Sequence, residues 1–118
     1  MESLATVLRR IPLFADLPPG GLAKIIADLR EERHSQGTAI CYEGDEASDF
    51  YIVKSGEVEV LVNRGGNQRE VVAINGPSEW FGERALFSES SRSATVIART
   101  DVELWRLTKE KFEGLIEE

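Results

Sequence analysis

The chain has 118 residues, 42% of them hydrophobic and 30% charged, and a formal net charge of −7. That composition is one ordinary globular domain, long enough to bury a core without staples, too short for two domains, and neither disordered nor fibrous. The acidic balance argues against nucleic-acid binding, and no apolar run approaches the roughly 20 residues of a membrane helix. Met1 to Arg10 mixes charged and apolar residues and lacks a signal-peptide core. The single cysteine, Cys41, has no internal partner, which fits a reducing cytoplasm.

Leu4, Val7, Leu8 and Ile11 fall at helical spacing and predict a first helix that Pro12 should stop. Leu13 to Leu17 then leads to Pro18-Pro19-Gly20-Gly21, a turn signal. Leu22, Ile25, Ile26 and Leu29 are spaced i, i+3, i+4, i+7 and predict a second helix.

From about Arg33 the pattern changes to short strands. Thr38–Tyr42 and Phe50–Lys54 read as strands, separated by the turn Glu43-Gly44-Asp45. Glu57 to Val62 carries valine on one face at period 2, and the polar loop Asn63–Gln68 connects it to a returning strand over Glu70–Ile74. Ala94–Ala98 and Val102–Leu107 are the last strands, and Thr108 is a plausible cap for a closing helix with Phe112, Leu115 and Ile116 on its apolar face. The layout is a single domain over 1–118: helices over about 3–30, about seven or eight short strands over about 33–107, and a closing helix over about 108–118. Close, regular strand spacing with turn signals points to a sandwich or barrel of the jelly-roll kind.

One stretch, Trp80 to Arg92, breaks the strand rhythm. Gly82 permits unusual dihedrals and a close backbone approach. Glu83-Arg84-Ala85-Leu86 are good helix formers, enough for about one turn. A glycine opening a short helix leaves backbone N–H groups unpaired, and such an end favours an anion. Arg92 follows the polar loop Ser88–Ser91, and a guanidinium can grip a phosphate with two parallel hydrogen bonds. Glycine, helix start, arginine and the neighbouring hydroxyl of Ser93 together make a phosphate cradle.

This segment resembles the phosphate-binding cassette of cyclic-nucleotide-binding domains: Phe81-Gly82-Glu83, Ala85-Leu86 and Arg92-Ser93-Ala94-Thr95 fit that family's pattern and spacing. Leu13-Phe14 with Leu17 looks like its N-terminal helical motif, and Glu43-Gly44-Asp45, Phe50–Val53 and Gly56-Glu57-Val58 look like its early strands and turns. The resemblance implies a mainly β fold with flanking helices, a double-stranded β-helix (jelly roll) with a short cassette helix. It implies a non-enzymatic regulatory module for cAMP or cGMP, with no further cofactor. Arg92 would pair with the cyclic phosphate and Glu83 would accept a hydrogen bond from the ribose 2′-hydroxyl. Gly82 and the amides near Arg84 and Ala85 would line the sugar-phosphate, and Ser93 would add a hydroxyl. Val71, Val72, Phe81, Leu86 and Val96 are candidates for an apolar wall, with Ala94 inside the motif.

The sequence departs from the family pattern in carrying Arg84 where an apolar residue is common; it is expected to point to solvent or to add positive charge at the pocket mouth. Many relatives continue into another helix that lids the base, so the expectation here is a lid that is missing, short or supplied by another molecule. An effector domain outside this chain is expected as partner, with no nucleic acid and no membrane insertion; an oligomer is left open, as is the choice between the two nucleotides.

Plainer readings stand beside these. Glu83 and Arg92 could form a structural salt bridge in a vestigial, ligand-free interaction domain. Glu43, Asp45, Glu46 and Asp49 do not have EF-hand spacing and read as a solvated acidic turn. His34 reads as a surface or strand-edge residue, Cys41 as core, Trp80 and Trp105 as packing groups, and Arg9-Arg10 and Arg30 to Arg33 as solvated faces. An enzyme is disfavoured: Gly76 to Trp80 lacks the second glycine of a nucleophile elbow, and a single histidine supports neither a triad nor a usual zinc set.

Overall fold

The computed structural model describes residues 3–86 and 91–116. Helix α1 spans Leu4–Arg10 and is capped by Ser3, whose hydroxyl oxygen accepts from the Thr6 amide at 3.2 Å. It ends where a residue preceding proline must leave helical space: Ile11 is extended, at φ −81° and ψ 120°. A 3-10 turn over Pro12–Phe14 follows, then α2 over Pro19–Asp28. The Pro-Gly-Gly stretch read as a turn is therefore the first turn of α2. Pro19 opens it, where a missing N–H costs nothing. Arg9, expected in solvent, is partly buried and donates to the carbonyls of Ala15 and Leu17, tying α1 to the approach to α2.

The strands are β1 (Arg30–His34), β2 (Ala39–Cys41), β3 (Asp49–Ser55), β4 (Val58–Gly65), β5 (Gln68–Asn75), β6 (Trp80–Phe81), β7 (Thr95–Ala98) and β8 (Val102–Thr108). They form two four-stranded antiparallel sheets, ordered β1-β8-β3-β6 and β2-β7-β4-β5. The jelly-roll expectation holds. β1 starts three residues before the expected boundary because its sequence, Arg-Glu-Glu-Arg-His, is polar throughout and carries no hydrophobic period. It is an edge strand, where charge is tolerated and discourages stray pairing. The β4–β5 loop is also tighter than its polar sequence suggested, only Gly66 and Asn67 lying between the strands. Trp80-Phe81, not anticipated as a strand, pairs with Ile52 and Tyr51 of β3.

Strand β3 organises the interior. Its run Phe50-Tyr51-Ile52-Val53 is buried on both faces, and alternation sends successive side chains to opposite sides. Phe50 and Ile52 join Leu107, Leu86 and the apolar faces of α1 and α2 in one hydrophobic cluster. Tyr51 and Val53 join Val58, Phe81, Val96, Ala98, Val102 and Leu104 in a second cluster between the sheets. Phe14 centres the first, edge-on to Phe50 (5.7 Å) and to Phe112 (5.8 Å). Phe112 belongs to the closing helix α3, Lys109–Ile116, whose start is capped as expected: the Thr108 hydroxyl accepts from the Lys111 amide at 3.2 Å. Among the described residues, no helix is long and apolar enough to cross a membrane.

Candidate functional site

The interrupting segment links the two clusters. Phe81 stacks on Tyr51 at 4.9 Å within the sheet-to-sheet core, and Leu86 is buried in the helical one. Between them Gly82 adopts φ +82°, and a 3-10 turn runs over Glu83–Leu86. The expected helical turn is present, tightened to the 3-10 form, with the Ala85 amide donating to the Gly82 carbonyl at 3.0 Å. Of the polar loop, Ser88, Glu89 and Ser90 lie outside the described residues; Ser91 forms a bridge with Glu46.

Arg92 is fixed at both backbone and side chain. Its amide donates to the Asp45 carbonyl at 2.6 Å, and its own carbonyl accepts from the Gly44 amide at 2.8 Å. The turn read from sequence as a solvated acidic feature is thus the bracket that seats Arg92. The side chain runs inward. Nη2 donates to the Asp49 carbonyl at 2.6 Å, and the guanidinium carbon lies 6.0 Å from the centre of the Tyr51 ring. Gly82 is required here: a Cβ in its place would stand 2.5 Å from Arg92 Nη1 and 2.8 Å from the Asp49 carbonyl oxygen.

These groups line a half-open cleft of about 200 Å³ formed by Gly82, Glu83, Arg84, Ala85, Arg92 and Ser93, with Ala47 and Ser91. Arg84 and Ser93 are exposed at its rim, Arg92 and Glu83 half-buried, and Ala85 buried at its base. Arg84 meets the expectation of an outward position. The Glu83 carboxylate accepts a long hydrogen bond, 3.4 Å, from the Leu13 amide, so it touches the N-terminal helical segment as well as the cleft. The Cys41 thiol is close enough to feel Arg92. Burial pushes its pKa up, and the guanidinium only partly offsets that. Burial likewise holds the Tyr51 phenol protonated beyond its usual range, with Glu32 and Asp49 acting in the same direction.

The remaining sequence candidates lie elsewhere. Val71 pairs with Leu61 on the edge strand β5 and is 46% exposed, and neighbouring Val72 is 45% exposed. Val71 shares the face of Leu61, which strand alternation sets opposite to the core-facing Val58 and Val60. Neither valine lines the cleft, and the apolar wall expected of them is not built there. Phe81, Leu86 and Val96 are buried in the cores behind the cleft, and Ala94 is partly buried outside its lining. His34 does sit on the edge strand β1, against Glu32 at 3.1 Å, and Cys41, Trp80 and Trp105 pack against the cores as anticipated.

Sequence reasoning missed Asp49, whose carbonyl holds Arg92 and whose carboxylate is only 16% exposed against Arg106. Its signal was present: Asp49 begins the alternating run of β3, so it shares the inward face of Tyr51 and Val53.

Fold and cleft together define a double-sheet β-roll with an arginine held at the mouth of a short helical turn. The family model for the cyclic nucleotide-binding domain matches residues 31–118, and the chain belongs to that family. The cyclic AMP receptor protein of Thermus thermophilus is 36% identical over 105 residues, covering 89% of this chain and 49% of that protein. The cGMP-dependent protein kinase 2 of Homo sapiens is 36% identical over 113 residues, covering 94% of this chain and 15% of the kinase. Among solved structures, the regulatory domain of Toxoplasma gondii PKA in co-crystal with cAMP superposes with a TM-score of 0.86 at 32% identity, covering 95% of this chain and 42% of that one. The chain spans less than half the length of the curated relatives it matches.

Proposed function

We propose that the chain binds a cyclic nucleoside monophosphate, cAMP or cGMP, in the Gly82–Arg92 cleft and acts as the sensor module of a larger cytoplasmic regulatory protein rather than as a catalyst. The observation that carries this reading is the Arg92 guanidinium, half-buried beside a positive-φ glycine and the first amides of a helical turn, in a protein of this family. A cyclic phosphate is the anion such a cradle suits, because fixed N–H donors and a charged fork meet its oxygens without reorganisation.

In this reading Arg92 turns Nη1, the guanidinium nitrogen on the Gly82 side, to the phosphate, and Ser93 adds a hydroxyl at the rim. Glu83 accepts from the ribose 2′-hydroxyl. A carboxylate so close to a phosphate is tolerable when the guanidinium neutralises the anion and the hydroxyl satisfies the carboxylate. The cleft, at about 200 Å³, falls below the roughly 300–1,000 Å³ of complete small-molecule pockets. It is sized for the sugar-phosphate, with the base extending beyond it. The relatives support both nucleotides: one is named for cyclic AMP, another for cGMP.

Calorimetric titration with cAMP and cGMP, with 5′-AMP as control, tests the proposal. Saturable binding of a cyclic nucleotide and not of 5′-AMP is expected, and it also reports the base preference. Equal binding of 5′-AMP, or no binding of any of the three, overturns it.

A further inference from the structure

Behind Arg92 lies a second arginine that the binding chemistry above does not use. Arg106 on β8 reaches across the inward face of its sheet to two carboxylates: its Nη1 donates to Glu32 Oε1 of β1 at 2.7 Å, and its Nε stands 3.2 Å from Asp49 Oδ2 of β3. The Glu32 contact is a good hydrogen bond. The Asp49 contact is an ionic approach without hydrogen-bond alignment, since Arg106 Nε is buried and has no aligned acceptor. Glu32 is gripped from a second side by His34. The cluster is largely shielded, with side-chain exposures of 23% for Glu32, 39% for Arg106 and 16% for Asp49.

Asp49 is where this cluster meets the cleft. Its backbone carbonyl accepts from Arg92 Nη2 at 2.6 Å, and its carboxylate belongs to the same residue, a few bonds away. A shielded carboxylate so near a guanidinium is an internal rival for any anionic ligand, because charge pairing strengthens as water is excluded. Asp49 nevertheless offers Arg92 only its neutral carbonyl while its carboxylate faces the other arginine.

We infer that Arg106, clamped by Glu32, is a positioning residue for the anion cleft: it holds the Asp49 carboxylate away from Arg92, so that the Arg92 guanidinium stays open to the ligand's phosphate. The identity of the anion rests on the cyclic-nucleotide reading; the control of Arg92 by Arg106 does not. Arg106 thus screens the Asp49 carboxylate without drawing on Arg92, whose partner in this residue is the neutral carbonyl.

The test compares the wild type with R106Q, D49N and the double variant. In calorimetric titration, R106Q should weaken cyclic-nucleotide affinity by roughly tenfold, the scale of one charge-assisted contact. D49N keeps the carbonyl and removes the rival charge, so the double variant should bind within about threefold of D49N alone. A merely structural role for Arg106 would not be rescued by removing a carboxylate. Wild-type affinity in R106Q, or a loss that persists unchanged in the double variant, overturns the inference.

A ligand-free arm separates this from failure of the binding reading. The coupling between positions 49 and 92, from a denaturation cycle of D49N and R92Q, is measured with Arg106 present and again in R106Q. It should grow when Arg106 is absent; equal coupling in both backgrounds overturns the inference. If the wild type binds no cyclic nucleotide, the proposed function falls and this arm alone decides the role of Arg106.

Discussion

Gly82 and Arg92 compete for one space. The positive φ of Gly82 leaves vacant the volume a Cβ would fill, 2.5 Å from Arg92 Nη1. Gly82→Ala therefore imposes two costs: about 1–2 kcal/mol of left-handed backbone strain and displacement of the guanidinium from the Asp49 carbonyl. The expected outcome is a folded protein of lower denaturation midpoint that has lost most of its cyclic-nucleotide affinity. Circular dichroism and calorimetry on the same sample check both parts, and unchanged affinity would contradict the account of the cleft.

Arg92→Ala removes the charge itself. A charge-assisted contact of about 1.5–3 kcal/mol is lost, roughly ten- to hundredfold in affinity. The Asp49 carbonyl is also left without its donor. Arg92→Lys should recover part of the affinity, because an ammonium supplies the charge without the planar fork. The ranking wild type, Lys, Ala in titration is the check.

In the proposed reading, Glu83 sets a preference within the ligand class. Against the wild type, a 2′-deoxy cyclic nucleotide should bind more weakly than its ribose parent by roughly tenfold or more, because it leaves the half-buried carboxylate without the hydroxyl donor. In Glu83→Ala the two ligands should bind alike. A deoxy penalty that survives the substitution would assign the 2′-hydroxyl to another group.

Leu86 shares a cluster with Phe112 of α3, which in the proposed reading is the route from the cleft to that helix. Ligand should slow amide exchange in α3. Leu86→Ala, a truncation of about 2–5 kcal/mol, should blunt that response even where binding persists. Identical α3 protection with and without ligand would remove this route of transmission.

Alkaline pH should unfold the protein earlier than its composition suggests. Folding raises the pKa of Cys41 and of Tyr51, in both chiefly through burial. Both groups are neutral when protonated, so the folded state keeps these protons to higher pH than the unfolded chain. This contribution is whole below the ordinary thiol and phenol values of about 8.5 and 10 and is lost as pH rises past them. Denaturation midpoints should be flat from pH 7 to about 8.5 and then fall. Cys41→Ser should flatten the first part of the decline and Tyr51→Phe the second.

Much of this was legible in residue order. Period 3.6 in Leu4–Ile11 and Leu22–Leu29 and period 2 in the β4 valines located the elements they form. The Phe81 to Thr95 pattern, read by resemblance, singled out Gly82, Glu83 and Arg92, which line one cleft. The failures have physical causes. β1 has no apolar period because edge strands need none. Pro19 reads as a breaker except where it opens a helix, as it does here. Val71 looks like wall material, yet which face it takes depends on pairing register. The surroundings of Asp49 come from strands β1 and β8, with Glu32 seventeen residues before it and Arg106 fifty-seven after it, meeting around it.

Phe81 and Leu86 are five positions apart, yet each is rooted in a different hydrophobic body. The stretch between them cannot follow one body without straining its hold on the other. Close-packed interiors yield in steps rather than by gradual deformation. In the proposed reading, a ligand that resets this stretch would have to trade one packing for another, as a two-position latch would, and its threshold would be set by how evenly the two interiors are matched.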